Sequence, residues 1–183
     1  MLCGIDEAGR GCLAGPLVVA GCVLNGDNIE GLNDSKVLSE KKRETLFELI
    51  VKNADFKIVE FSHEVIDKKG LSACLKEAIT LIKKHFETCE ILMDGNTNFG
   101  VFGVKTLVKA DAKIPEVSAA SILAKVSRDR FMLKMDKLYP KYQFAKHKGY
   151  GTSLHVELIK KYGNSPIQRL TFKLKSLNQS TLF

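Results

Sequence analysis

The chain has no run of apolar residues long enough to cross a membrane. Its longest charge-free apolar stretch, Leu13 to Leu24, contains Gly and Pro, and it falls short of the roughly 20 residues that a spanning helix needs. No secretory leader is expected, because Asp6 and Glu7 arrive before a basic start and an apolar middle can be completed. Cysteine is present without pairing. Cys3, Cys12, Cys22, Cys74 and Cys89 are odd in number and form no Cys-x-x-Cys. That argues against a disulfide framework or a zinc site and favours small buried hydrophobes. The four histidines, His63, His85, His147 and His155, show no zinc spacing. No Gly-x-Ser-x-Gly elbow supports a nucleophilic serine. Repeats and low-complexity tracts are absent as well. These absences lead us to expect a cytoplasmic protein with no membrane partner, and a monomer as the simple default.

What is present fits one domain of 183 residues, 45% hydrophobic, with a formal net charge of +7. The charge is unevenly spread. Lys125 to Lys175 holds 13 basic and 3 acidic residues, leaving 15 basic and 18 acidic elsewhere. A lysine-rich solvated surface would account for part of this run. Its concentration in the last third favours a track for a nucleic-acid backbone.

Periodicity orders the elements. Strands are expected over Leu2–Asp6, Gly15–Leu24, Phe56–Phe61, Glu90–Asp94 and Gly103–Val108. Ser39 is a candidate N-cap for a helix carrying Leu46, Phe47 and Ile50. Leu71, Cys74, Leu75, Ala78, Ile79, Ile82 and Phe86 form the stripe of a long amphipathic helix. A second long helix spans Val117 to about Leu138, and a last one Ser153 to Tyr162. The short link between the first two strands predicts an antiparallel pair, and the helical links predict parallel crossovers. The expected fold is α/β: a mixed sheet flanked by helices, with a basic helical C-terminal segment.

The chemistry is concentrated in Asp6-Glu7-Ala8-Gly9-Arg10-Gly11. Two carboxylates at the end of a strand repel each other and desolvate badly unless a cation compensates them. The glycines let backbone approach a ligand, and arginine suits a phosphate. Asp94 likewise ends a strand before a glycine turn, and Asp111 follows the next strand. One such aspartate is usually a turn cap. Four acids at neighbouring strand ends point instead to a site for two Mg²⁺ or Mn²⁺ ions acting on a phosphate ester. Asp129, between Arg128 and Arg130, is a weaker candidate, and pairing with a nearby cation explains it at least as well. Lys146-His147-Lys148-Gly149-Tyr150 is a basic loop with an aromatic that suits a sugar or base.

Six segments, in order along nearly the whole chain, resemble ribonuclease HII, a type 2 ribonuclease H. They are Asp6 to Gly11, Asn33-Asp34-Ser35-Lys36, Asp94-Gly95-Asn96, Lys109-Ala110-Asp111, Val117 to Asp129, and His147-Lys148-Gly149-Tyr150. The resemblance implies a ribonuclease H-like fold. It also implies cleavage on the 5′ side of ribonucleotides in RNA–DNA hybrids and of single ribonucleotides in duplex DNA, leaving a 3′-hydroxyl and a 5′-phosphate. Its metal carboxylates fall on Asp6, Glu7, Asp94 and Asp111. Gly9, Arg10 and Gly11 match the turn that reads the 2′-hydroxyl, the group that separates RNA from DNA. Tyr150 matches the tyrosine that packs on the sugar, and Lys36, His147 and Lys148 face the substrate. Where many bacterial members carry His-Arg-x-Ser-Phe, this chain has Gln168-Arg169-Leu170-Thr171-Phe172.

The resemblance divides the chain into a catalytic core (1–140), a helical substrate-binding region of the same domain (141–178) and a tail (179–183). Gln179, Leu182 and Phe183 in that tail resemble a Gln-x-x-Leu-Phe peptide that docks on the bacterial sliding clamp, a pattern that short termini also match by chance. Two other readings compete: a basic nucleic-acid-binding module with structural acids, and a ribonuclease H-like nuclease that cuts all-DNA substrates.

Overall fold

The computed structural model describes residues 1–26, 29–33 and 35–172. Five strands form one mixed sheet in the order β3-β2-β1-β4-β5. They are β1 (Leu2–Ala8), β2 (Leu17–Leu24), β3 (Ala54–Phe61), β4 (Glu90–Asp94) and β5 (Val104–Leu107). Among the described residues, six α-helices accompany the sheet: α1 (Glu40–Asn53), α2 (His63–Lys69), α3 (Leu71–His85), α4 (Pro115–Leu138), α5 (Phe144–His147) and α6 (Ser153–Tyr162). No described helix is long and apolar enough to cross a membrane.

The alternation of side chains along β2 explains the layering. Leu17, Val19 and Val23 pack with Leu75, Ile79 and Ile82 of α3 on one face. Val18, Ala20 and Cys22 pack with Leu46 and Ile50 of α1 and with Ile122 and Leu123 of α4 on the other. A strand covered on both faces reads as a continuous apolar run, as this one does. Each large aliphatic side chain buried in these layers contributes about 1.5–3 kcal/mol. A third apolar cluster, including Met132, Tyr142, Phe144 and Ile167, joins the end of α4 to the C-terminal region.

The antiparallel pairing of β1 and β2 and the parallel pairing of β1 with β4 agree with the sequence reading. The crossover expected around α1 does not form, and β3 runs antiparallel to β2. Leu24 and Ala54 are register partners, so α1 ends where β2 ends. The chain before α1 has therefore already travelled back along the sheet, which places Ser35 and Lys36 at the carboxyl end of β1. Helix α2 was not legible in the periodicity. Its seven residues are too few to establish a stripe, although Ser62 caps it by accepting from the Val65 amide.

Helix α4 lies close against β1 because Gly4 carries no side chain. A Cβ there would sit 2.3 Å from the Glu116 carbonyl carbon and the Val117 nitrogen. Pro115 opens α4 at a position where a missing N–H costs nothing. Ser118, Ala119, Ala120, Ser121 and Ala124 are all buried. Small residues of this kind bring the α4 backbone under the acids of β1.

Candidate active site

Strand register builds the acidic cluster. Ile5 of β1 pairs with Met93 of β4, which sets Asp6 beside Asp94 on parallel neighbours. Asp111 arrives from the turn after β5, a single 3₁₀ turn over Ala110–Ala112. Lys109 enters that turn in the left-handed region at φ 58°, a conformation a non-glycine residue adopts at some cost. The Asp94 carboxylate accepts from the Ala110 amide at 2.7 Å, and the Ser118 hydroxyl donates to the Asp111 carbonyl. These bonds lock the turn against β4 and α4. One carboxylate oxygen each from Asp6, Asp94 and Asp111 lies within 4.8 Å of the others.

Three hard oxygen donors at that separation fit a divalent cation of the Mg²⁺ or Mn²⁺ type. Their electrostatics fit one too. Burial, and then the neighbouring Glu7 carboxylate, push the Asp6 carboxyl up to about 8, with Asp94 adding to the rise. Asp6 is 6% exposed. The Glu7 amide and the Ser121 side chain hydrogen-bond the Asp6 carboxylate and partly offset this. Lys36 donates to Asp111 at 3.0 Å and removes part of the negative charge.

Glu7 stands apart from this trio. Successive strand residues point to opposite faces, and among the described residues the grouped acids are Asp6, Asp94 and Asp111. Burial pushes the Glu7 carboxyl upward, against the pull of Arg10, whose guanidinium lies 3.6 Å away. Glu7 does share a groove with Asp6, a cavity of about 540 Å³. The groove is also lined by Gly9, Arg10, Gly11, Lys36 and Tyr150, five of the expected substrate-facing residues. A second cavity of about 520 Å³ contains Asp94, Asp111 and Lys109, with Lys36 common to both.

The Gly9 turn is fixed by sterics. Gly9 has φ 90°, and a Cβ there would lie 2.2 Å from Arg128 Nε. Arg10 stacks over the Phe99 ring at 5.1 Å. The Tyr150 ring centroid lies 5.4 Å from Lys125 Nζ and 5.6 Å from the Arg128 guanidinium, and Tyr150 lines the groove. Those cations hold the ring in place and bring positive charge to a surface that would meet phosphates.

His147 and Lys148 sit differently from the sequence expectation of a substrate contact. His147 is 5% exposed, and both of its ring nitrogens are engaged by backbone, Nε2 with the Tyr142 carbonyl and Nδ1 with the Gly149 amide. Lys148 Nζ donates to the Ala145 carbonyl at 2.7 Å. Both side chains therefore shape the Gly149–Tyr150 turn from behind. Asp129 is paired with Lys125 at 2.7 Å and lies 4.0 Å from Arg43. The cation-pairing account of Asp129 is the one the structure supports. The sequence reading gave no role to the groove residues Ser121 and Arg43, and placed Ser35 and Lys125 only within wider substrate-facing stretches. Their convergence depends on the path of the chain before α1, for which no local pattern exists. Gln179, Leu182 and Phe183 lie outside the described residues.

His147 stacks on a second buried imidazole, His155, with ring centroids 4.1 Å apart. His155 Nδ1 meets the Tyr150 carbonyl at 2.9 Å, and its Nε2 has no hydrogen-bond partner among the described residues. Burial, then His147, pull the His155 imidazole down to about 4 from the usual 6.5. The folded chain thus favours neutral His155. Its contribution is complete above pH 6.5 and declines as pH falls toward 4, by up to about 3 kcal/mol. Thermal midpoints at pH 7 and pH 4.5 should fall less for His155→Gln than for the unmodified chain. An equal fall in both would contradict this assignment.

A mixed sheet with three carboxylates gathered at the carboxyl ends of the parallel strands β1, β4 and β5 defines a class, the nucleases of ribonuclease H-like fold. Solved structures agree. The chain superposes on the ribonuclease HII of a PCNA:RNase HII complex from Archaeoglobus fulgidus with a TM-score of 0.80, at 32% identity over 96% of both chains. It also superposes on Bst-RNase HIII in complex with Mn²⁺ with a TM-score of 0.69. At 17% identity, over 93% of this chain and 66% of that one, this likeness speaks for the fold alone.

The family profile described as Ribonuclease HII matches residues 3–175. The chain is 58% identical to ribonuclease HII of Campylobacter concisus over 183 residues, covering 100% of this chain and 98% of that protein. It is 59% identical to that of Aliarcobacter butzleri, covering 99% and 95%. The chain belongs to the ribonuclease HII family. It is thus an endoribonuclease, a phosphodiester hydrolase, and the reading of a binding module with purely structural acids is set aside.

Proposed function

We propose that this enzyme cuts the phosphodiester on the 5′ side of ribonucleotides, both in RNA–DNA hybrids and where a single ribonucleotide interrupts duplex DNA. The products carry a 3′-hydroxyl and a 5′-phosphate. Asp6, Asp94 and Asp111, with Glu7 from the same groove, would hold two Mg²⁺ or Mn²⁺ ions. When bound, these ions supply a nucleophilic water and stabilise charge at the scissile phosphate. Asp6 would contribute most to holding them, because it is the deeper of the β1 acids and the one most unfavourable as a bare anion.

The chain's own groups do the rest. The backbone of Gly9, Arg10 and Gly11 reads the 2′-hydroxyl, and the Tyr150 ring packs on the sugar beyond it. Lys36, Arg43 and Lys125 line the groove as cations for phosphates. Residues 1–140 would form the catalytic core and 141–178 the substrate-binding part of the same domain. The observation that carries the reading is the adjacency of the acidic trio to a groove lined by Gly9, Arg10, Gly11 and Tyr150. The test is a panel of three duplexes, with one ribonucleotide, with a hybrid tract and with DNA only, each incubated with Mg²⁺, Mn²⁺ or EDTA. Cleavage of the first two alone, and only with metal, is expected. Cutting of the all-DNA duplex would transfer the reading to a DNA nuclease.

Metal binding should also be visible without turnover. Mg²⁺ or Mn²⁺ relieves repulsion among the trio, so millimolar ion should raise the thermal midpoint of the unmodified chain. Asp6→Asn should lose most of that rise, as differential scanning fluorimetry would show.

The tail reading rests on Gln179, Leu182 and Phe183 as anchors for a sliding clamp. It is supported by the Archaeoglobus fulgidus relative, whose structure is a complex with PCNA. Deleting 179–183 should abolish clamp binding and spare cleavage of naked duplex. Undiminished clamp binding after the deletion would end this reading.

A further inference from the structure

Two buried arginines lie behind the recognition turn, and the chemistry proposed above uses neither. Arg128 of α4 and Arg169 of the C-terminal segment are among the largest fully buried side chains. Among the described residues, neither has a carboxylate within ion-pairing distance. Each is instead satisfied by main-chain carbonyls, nearly all from one stretch. Arg169 donates from Nε to Gly15 at 2.9 Å, from one terminal nitrogen to Pro16 at 2.8 Å and from the other to Arg10 at 3.4 Å. Arg128 donates from Nε to Pro16 at 3.0 Å, from one terminal nitrogen to Ala14 at 3.0 Å and from the other to Lys148 at 2.8 Å. The neighbouring Gln168 adds its side-chain amide to the Leu13 carbonyl at 2.9 Å.

We propose that Arg169 and Arg128 are positioning residues for ribonucleotide selection: they fix the backbone of residues 14–16, which carries on from the Gly9–Gly11 turn, Arg169 reaches back to Arg10 within that turn, and Arg128 packs against Gly9 and ties this stretch to the loop bearing Tyr150. This rests on the reading that the turn recognises the 2′-hydroxyl. Burying a cation without a counterion is costly, and a fold retains it where its several hydrogen bonds do something a hydrophobe cannot. A planar fork of donors fits three carbonyls that diverge around a turn, whereas an ammonium presents one nitrogen centre. Lysine would therefore keep the charge and lose the shape. Arg169 also joins segments distant in sequence. Its own amide donates to the Leu13 carbonyl at 2.8 Å, and the Leu170 and Thr171 amides donate to Asp67 of α2. The turn is thereby held through Arg169 to a helix on the opposite side of the sheet from α4.

A positioning role and a merely structural one predict different kinetics. Arg169→Lys should be assayed with Mg²⁺ on a duplex bearing one ribonucleotide, with an all-DNA duplex as competitive inhibitor. Selection through the turn predicts a KM raised roughly tenfold, with the Ki of the all-DNA competitor within about twofold of the unmodified value. Arg128→Lys should behave alike. Leu46→Ala, a core truncation under α1, should lower the thermal midpoint yet leave both constants in place. If Arg169→Lys lowers only kcat, as a smaller active fraction would, or raises KM and Ki together, the positioning role of the two arginines is overturned. If the unmodified enzyme itself binds the two duplexes equally, the reading of the turn fails and the arginines' role in selection fails with it. That result is distinguished by needing no variant.

Discussion

Asp94→Asn is expected to lower cleavage of a ribonucleotide-containing duplex by roughly a thousandfold or more, with duplex binding changed only a few-fold. Asp94 ends β4 beside Asp6, and its carboxylate completes the oxygen trio. An asparagine keeps one oxygen at that place, so the bond from the Ala110 amide and the turn that carries Asp111 can persist. The charge is lost, and with it most of the site's hold on a divalent cation. The same change removes one source of repulsion on Asp6, whose carboxyl is already displaced to about 8 by burial, Glu7 and Asp94. The metal-free variant should therefore melt no lower than the unmodified chain. Steady-state cleavage, a binding titration and a melting curve together check this. A variant retaining a tenth or more of the activity would mean that Asp94 is not a metal ligand.

Gly4→Ala is expected to destabilise the chain by about 3 kcal/mol, lowering the thermal midpoint by roughly 10 °C. The new methyl would meet main-chain atoms of Glu116 and Val117 at 2.3 Å, and a backbone cannot swing aside as a flexible side chain can. Either α4 or β1 must move. Helix α4 carries Ser118, bonded to the Asp111 carbonyl, and Ser121, bonded to Asp6, so a displacement reaches both acids. A misplacement of about 1 Å at such groups costs roughly a hundredfold in rate. Melting curves, followed by kcat measured below the variant's midpoint, check both parts. An unchanged midpoint would contradict the tight contact between β1 and α4.

The layered α/β architecture was legible because its signals are local. The apolar run of β2 and the stripe of α3 fall where expected, and β1 and α4 each begin or end within two residues of the sequence estimate. The direction of β3 was not legible. It depends on where the chain before α1 travels, and no periodicity records that path. In the candidate site, Asp6, Asp94 and Asp111 were legible as acids at strand ends, and the parallel register of β1 and β4 brings them together. Glu7 was grouped with them as the neighbour of Asp6 and through the family resemblance; it lines the same groove as Asp6 but lies outside the trio within 4.8 Å. His147 and Lys148 stood in a basic loop, which suggested contact with substrate. Only three-dimensional packing shows the imidazole turned inward on His155 and the lysine folded onto its own loop. Arg128 and Arg169 read in sequence as part of a basic surface, and they prove to be two of its most deeply buried side chains.

The central claim is that metal held by the acidic trio directs hydrolysis at the 5′ side of a ribonucleotide. The most direct test maps the ends produced from a duplex with one embedded ribonucleotide, in Mg²⁺ and in Mn²⁺. The account predicts a single nick immediately 5′ of the ribonucleotide, with a 3′-hydroxyl on one fragment and a 5′-phosphate on the ribonucleotide-bearing one. A nick on the 3′ side ending in a 2′,3′-cyclic phosphate would mean that the 2′-hydroxyl itself attacks, and would contradict the account.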